Sequence, residues 1–203
     1  MAIQTYKVFS GWLRSARHDG IKLAAVIFGA VLSTNVQAQD LGTLNPKPLP
    51  PLANPDDPTL PAKELFGRRT TPAQMPAKPI GFYSRGCLAG AAMLPIDGEA
   101  WQVMRLSRNR NWGHPELVSF LMQIAREARH QNIWPGLLVG DMSQPRGGPM
   151  ITGHASHQIG LDADVWFTPM PEQRLTRQER EDMSATNLVR EDGLDIDPTT
   201  FNP

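Results

Sequence analysis

Leu161-Asp-Ala-Asp-Val-Trp-Phe167 alternates with the two-residue period of a β-strand, which places Asp162 and Asp164 on one face and Leu161, Ala163 and Val165 on the other. Upstream, Leu137-Leu-Val-Gly-Asp141 reads as a short buried strand and Trp101-Gln-Val-Met-Arg-Leu106 as another. Between these two, Pro115 suits the first position of a helix over 115–131, in which Leu117, Leu121, Ile124 and Ala128 share one face with Phe120 beside them. Thr176-Arg-Gln-Glu179 is a capping box that opens a further helix over 176–190. This order of elements predicts an α+β domain: a small antiparallel sheet with helices packed on one side and a groove across the sheet.

The flanks read differently. Lys7, Arg14, Arg17 and Lys22 precede the apolar run Leu23–Leu32, which is shorter than the roughly 20 residues a membrane span needs, and Val36 and Ala38 occupy the −3 and −1 positions of a cleavage site. Residues 1–38 are therefore expected to be a signal peptide for export, leaving no membrane association after cleavage. Residues 39–79 carry prolines at 46, 48, 50, 51, 55, 58, 61, 72, 76 and 79, a density that suits a linker or an extended arm draped over the domain. The compact domain is expected over 80–203, opening with the turn-rich Gly81–Gly90. The chain has 20 Lys and Arg against 20 Asp and Glu and no basic run, which excludes a nucleic-acid binder held by bulk charge. Its single cysteine, Cys87, cannot close an internal disulfide, which is unusual for an exported protein.

The chemistry concentrates in Gly153-His-Ala-Ser-His-Gln-Ile-Gly-Leu-Asp-Ala-Asp164. Imidazole with carboxylate is a common ligand set for catalytic zinc, and His157 with Asp164 joins a loop nitrogen to a strand oxygen. The same groups also suit hydrogen bonds to the loop backbone. No Glu follows His154, so the helical HExxH arrangement with its built-in general base is excluded. Asp162, on the face of Asp164, is placed to orient a ligand histidine. His114 before Pro115 reads as a helix cap, and His130 suits a helix C-terminus. Trp112, Trp134 and Trp166 fit either a substrate groove or the core.

Ser84-Arg-Gly-Cys-Leu-Ala-Gly90, Leu94-Pro-Ile96, Trp101-Gln-Val-Met-Arg105, Gly113-His-Pro-Glu-Leu-Val118, Leu138-Val-Gly-Asp-Met142 and the Gly153–Asp164 string together resemble the penicillin-insensitive murein endopeptidases. These belong to a wider group of zinc peptidases that includes lysostaphin, D-Ala-D-Ala peptidases and Hedgehog-like domains. The resemblance implies a periplasmic zinc hydrolase acting on the D-alanyl–meso-diaminopimelyl crosslink between peptidoglycan stem peptides, with zinc in the groove of the sheet. Hydrolysis through a metal, without a nucleophilic serine, accounts for insensitivity to β-lactams, which acylate serine. His157 and Asp164 match the first two zinc ligands of the family, and His154 matches a further histidine at the metal site. Asp192 matches an aspartate that the family offers to a second metal, and Asp195 stands where the family has a histidine.

The resemblance also implies a His-x-His segment, carrying a third ligand and a catalytic histidine, beyond residue 203. No catalytic base is then expected within the chain, and Cys87 matches a disulfide-forming cysteine whose partner is missing. Those features, with the end Pro198-Thr-Thr-Phe-Asn-Pro203, read as an N-terminal fragment or a truncated gene product of a longer enzyme. Two alternatives stand beside the endopeptidase: a non-catalytic module that binds murein peptides, and a D-Ala carboxypeptidase or dipeptidase.

Overall fold

The computed structural model describes residue 42, residues 44–186, residues 188–190, and residues 193 and 195. The expected signal peptide, 1–38, and Asp192 lie outside the described residues. The backbone forms α1 (Ala62–Gly67), β1 (Lys78–Phe82), β2 (Arg85–Ala89), β3 (Ala92–Met93), β4 (Trp101–Val103), a 3-10 turn (Leu106–Arg108), β5 (Trp112–Gly113), α2 (Pro115–His130), β6 (Leu137–Val139), β7 (Val165–Trp166) and α3 (Arg177–Asp182). The α+β class holds. The strands fall into three small sheets: the antiparallel hairpin β1-β2, the antiparallel pair β3-β5, and β4-β6-β7, in which β4 runs parallel and β7 antiparallel to β6.

Alternation along β6 gives the central sheet two covered faces. Leu137 and Val139 join Trp101, Val103 and Leu106 in the larger core, closed by Val118, Leu121 and Ala125 of α2. Leu138 points the other way, to Met104, Trp166, Met170 and Leu175. The buried face of α2 thus differs from the stripe expected from periodicity: Ile124 and Phe120 are exposed. The helix carries apolar residues over a wide arc, and the stripe with Val118 and the fully buried Ala125 is the one that meets the core. His114 is the N-cap, its Nδ1 accepting from Glu116 N, and His130 sits in the last turn, as their sequence positions predicted.

Each expected strand is shorter in the fold. The 101–106 strand stops at Val103 because Arg105 is left-handed (φ 53°), and 137–141 is regular only to Val139. The 161–167 strand reduces to Val165–Trp166; of the apolar set that alternation put on one face, Ala163 packs against the larger core while Leu161 and Val165 are 47 % and 40 % exposed. Asp162 and Asp164 are held by the histidine loop, as described below, and that tertiary demand overrides strand periodicity. The helix expected over 176–190 is confined to Arg177–Asp182. Thr176 and Glu179 complete the capping box, but Met183 turns out of helical geometry, and downstream Thr186 pairs its hydroxyl with that of Thr168 at 2.6 Å.

The proline-rich segment contains α1, a helix that its sequence did not announce, fitted between Pro61 and Pro72. Lys47 N donates to Ser107 O, and Arg146 Nε and Arg177 donate to the carbonyls of Thr71 and Asn45. Gly81–Gly90 is the β1-β2 hairpin, which already begins at Lys78. Among the described residues no helix is long and apolar enough to cross a membrane.

Candidate metal centre

Backbone pairing sets the site at one end of the central sheet. Beyond the paired β6 and β7 the ladder continues, with Gly140 N donating to Asp164 O at 2.8 Å and Asp164 N to Asp141 O at 2.9 Å. Asp141 and Asp164 therefore leave the sheet at the same end. Residues 153–160 arch over that end and are tied down by Gln158. Its backbone N donates to Tyr83 O, its side-chain amide donates to Ser84 O and Ala155 O, and its Oε1 accepts from Gly86 N. At the far side of the arch His114 N donates to Gly160 O, which links the loop to the start of α2. Gly160 is left-handed (φ 67°), and a Cβ there would come within 2.4 Å of Leu88 Cδ2 and 3.1 Å of His114 N, so only glycine fits that close approach.

His157 is also left-handed, at φ 65°, an uncommon conformation for a residue with a side chain. The side chain is 3 % exposed and stands among carboxylates. Asp162 Oδ2 accepts from His157 N at 3.2 Å and lies 2.7 Å from Nδ1, an ion-pair distance without hydrogen-bond alignment. Nε2 lies 3.6 Å from Asp164 Oδ1 and has no hydrogen-bond partner although it is buried. His154, exposed and edge-on to His157 at 5.1 Å between ring centroids, brings its Nε2 within 3.5 Å of Asp164 Oδ2 and 3.6 Å of Asp141 Oδ2. One ligand atom from each of His154, His157 and Asp164 lies within 4.8 Å of the others.

The electrostatics follow from this crowding. Burial alone would push the His157 pKa down, but the Asp164, Asp162 and Asp141 carboxylates outweigh it and hold the imidazolium form above the ordinary histidine range. Contact with His157 lowers Asp164 below the ordinary carboxylate value against its partial burial, helped by His154 and Arg108. Arg108 and Arg110 both bind Asp141 Oδ2, at 2.9 and 2.7 Å, so this buried carboxylate is doubly paired.

The residues fit a metal. A buried imidazole nitrogen with no hydrogen-bond partner, a facing carboxylate and a second histidine supply three donors, the number of protein ligands that a catalytic zinc takes beside a water. Of the residues singled out by sequence, the fold brings together His154, His157, Asp162 and Asp164. Asp195 is exposed, its carbonyl accepting from Arg190 N, and is outside that cluster; Cys87, in β2, is half-buried and free. Trp166 is a core residue, Trp134 packs on the core and against Phe167, and Trp112 donates its ring N–H to Asn109. Sequence reasoning missed Asp141, Arg108 and Arg110. The available signal was a carboxylate ending an apolar strand, which needs cations once buried.

A profile of the family described as penicillin-insensitive murein endopeptidase matches residues 79–203, the region that holds every element of the site. The chain belongs to that family. A penicillin-insensitive murein endopeptidase of Haemophilus influenzae (strain ATCC 51907 / DSM 11121 / KW20 / Rd) is 50 % identical over 91 residues, 45 % of this chain and 32 % of the relative. One of Escherichia coli O6:K15:H31 (strain 536 / UPEC) is 42 % identical over 135 residues, 66 % of this chain and 48 % of the relative. The chain thus matches about a third to about half of the length of these family members.

Proposed function

We propose that the chain is a zinc-binding peptidoglycan hydrolase domain that cleaves the D-alanyl–meso-diaminopimelyl crosslink, exported to the periplasm. The observation that carries the reading is the buried, unpartnered Nε2 of His157 facing Asp164 and His154 inside the family-matched region. His157, Asp164 and His154 would hold the ion. Zinc in such a site supplies a water acidic enough to ionise near neutrality and a Lewis acid for the scissile carbonyl. Around it, the Asp162 carboxylate holds the His157 backbone N–H and sets a negative charge 2.7 Å from Nδ1, on the far side of the ring from the Nε2 that faces Asp164. Asp141, neutralised by Arg108 and Arg110, stands behind His154 Nε2 and limits where that ring settles. The relatives are named penicillin-insensitive murein endopeptidases, and the clustered donors are two imidazoles and a carboxylate.

The test is digestion of purified crosslinked muropeptide dimers, read by mass spectrometry with and without a chelator. Chelator-sensitive conversion of dimers to monomers without release of D-Ala is the expected result. Free D-Ala as product would indicate a carboxypeptidase instead, and persistence of the dimers would overturn hydrolysis by this chain.

A further inference from the structure

Next to the metal site runs a groove of about 760 Å³ between residues 46–49 and the end of α1 on one side and residues 107–110, 144–145 and 151–152 on the other. Its lining includes Lys47, Arg68, Arg69, Arg108 and Arg110 and no Asp or Glu, in a chain whose formal net charge is zero. Three of the cations are engaged: Arg68 with Glu64 at 3.0 Å, and Arg108 and Arg110 with Asp141. Lys47 and Arg69 are exposed and have no side-chain partner among the described residues. A concave wall with an excess of positive charge focuses its potential on anions, and guanidinium and ammonium groups bind carboxylates through charge-assisted hydrogen bonds. The groove adjoins the candidate metal centre: the Asp141 oxygen that binds Arg108 and Arg110 lies 3.6 Å from His154 Nε2, and Arg110 also donates to the carbonyl of Thr152, two residues before His154.

We infer that this groove binds the free carboxylate of the peptide beside the scissile bond, with Lys47 and Arg69 as the side chains that engage it. The inference rests on the peptidoglycan reading above. In a D-alanyl–meso-diaminopimelyl crosslink the diaminopimelyl nitrogen that is acylated sits on the same carbon as a carboxyl group, which the crosslink leaves free. Every such bond therefore carries an anion next to the amide, and a cationic groove adjoining the metal ligands suits it. Lys47 and Arg69 are positioning residues, acting on the substrate's charge and not on the reacting atoms. The segment around Lys47 thereby gains a role as one wall of a substrate groove.

The test is isothermal titration calorimetry on the full chain with chelator present, so that only protein groups are read. The probes are a stem peptide with the free diaminopimelyl carboxylate, the same peptide amidated at that carboxyl, and tri-glutamate as an unrelated acidic peptide. The free acid is expected to bind about tenfold more tightly than the amide, the size of one charge-assisted contact. That preference should vanish in the double variant K47Q/R69Q, persist in K47R/R69K and shrink at high salt. Equal binding of acid and amide, a preference that survives K47Q/R69Q, or no binding would overturn the inference. Tri-glutamate binding as tightly as the stem peptide would overturn the stem-peptide assignment. Because binding is read without metal or turnover, carboxylate preference in a chain that leaves dimers intact would sink the hydrolase reading alone.

Discussion

His157 concentrates the physical tension of the molecule: a left-handed backbone, a buried ring and three carboxylates around it. With metal stripped, its ion pair with Asp164 has a defined pH window. The His157 pKa is raised above 6.5, so its contribution is full below 6.5 and is lost as pH rises through the folded value. The Asp164 pKa is lowered below 3.8, so its contribution is full above 3.8 and is lost as pH falls through the folded value. The chelated chain should therefore lose most stability on Asp164→Asn between these limits, near pH 5, and less by pH 9. Denaturant midpoints across pH for the two proteins check this; a gap that widens toward pH 9 would contradict it. With zinc added the proton and the metal compete for the same nitrogen, so affinity should rise with pH. Asp162→Asn keeps the shape but removes the charge beside Nδ1, and should weaken zinc binding about 10–100-fold in a competitive chelator titration. The two histidines and two aspartates of this cluster were legible in the sequence because their spacing is short and local. Asp141, Arg108 and Arg110 were not, because each becomes a site residue only through contacts distant in sequence.

At the scale of elements, periodicity and capping located β4, β6, β7, α2 and α3, which tertiary contacts then trimmed, but not α1 or the short pairs β1-β2 and β3-β5. The capping box at Thr176 was readable because both partners lie within one turn. What that helix buries was not: Arg180 is fully buried, its guanidinium donating to the carbonyls of Leu175, Ile96 and Val103 and pairing with Asp97 at 2.6 Å. A charged residue in a polar hexapeptide gives no sign that it will become a core strut. Arg180→Ala should cost about 3–5 kcal/mol, because it unpairs several carbonyls at once and leaves Asp97 with Arg174 alone, whereas Thr176→Ala should cost about 1 kcal/mol through loss of the cap alone. Urea unfolding of both variants checks the ratio, and equal losses would mean that Arg180 contributes no more than surface charge. The same logic applies to Gln158, whose amide bonds join the histidine loop to the β1-β2 hairpin. Gln158→Leu should lower stability by on the order of 2 kcal/mol through unpaired backbone groups, and should raise amide exchange in 153–160 more than in β6.

For the molecule as a whole, the question is whether the candidate metal centre also acts as a structural brace. His154 and His157 sit on the arch, and Asp164 on the backbone paired with the end of β6, so an ion held by all three would pin the arch to the central sheet. A ligand that binds only the folded chain stabilises it by about 2.7 kcal/mol at a hundred times its Kd. For a chain of this size that corresponds to a rise in Tm of roughly 5–10 °C. Zinc should therefore shift thermal unfolding of the wild-type chain upward by that amount, chelator should reverse it, and Asp164→Ala should abolish it while Lys47→Gln leaves it intact. Calorimetric scans of the three proteins, with metal and with chelator, separate the possibilities. An equal zinc shift in wild type and Asp164→Ala would place the ion elsewhere on the chain. The contrast with Lys47→Gln matters because Lys47 lines the basic groove without touching the metal ligands, whereas Arg108 and Arg110 reach them through Asp141 and Thr152. If Lys47→Gln left the zinc shift unchanged and weakened only peptide binding, the arch would hold the metal and the segment around Lys47 would hold the substrate, two tasks assigned to two parts of one fold.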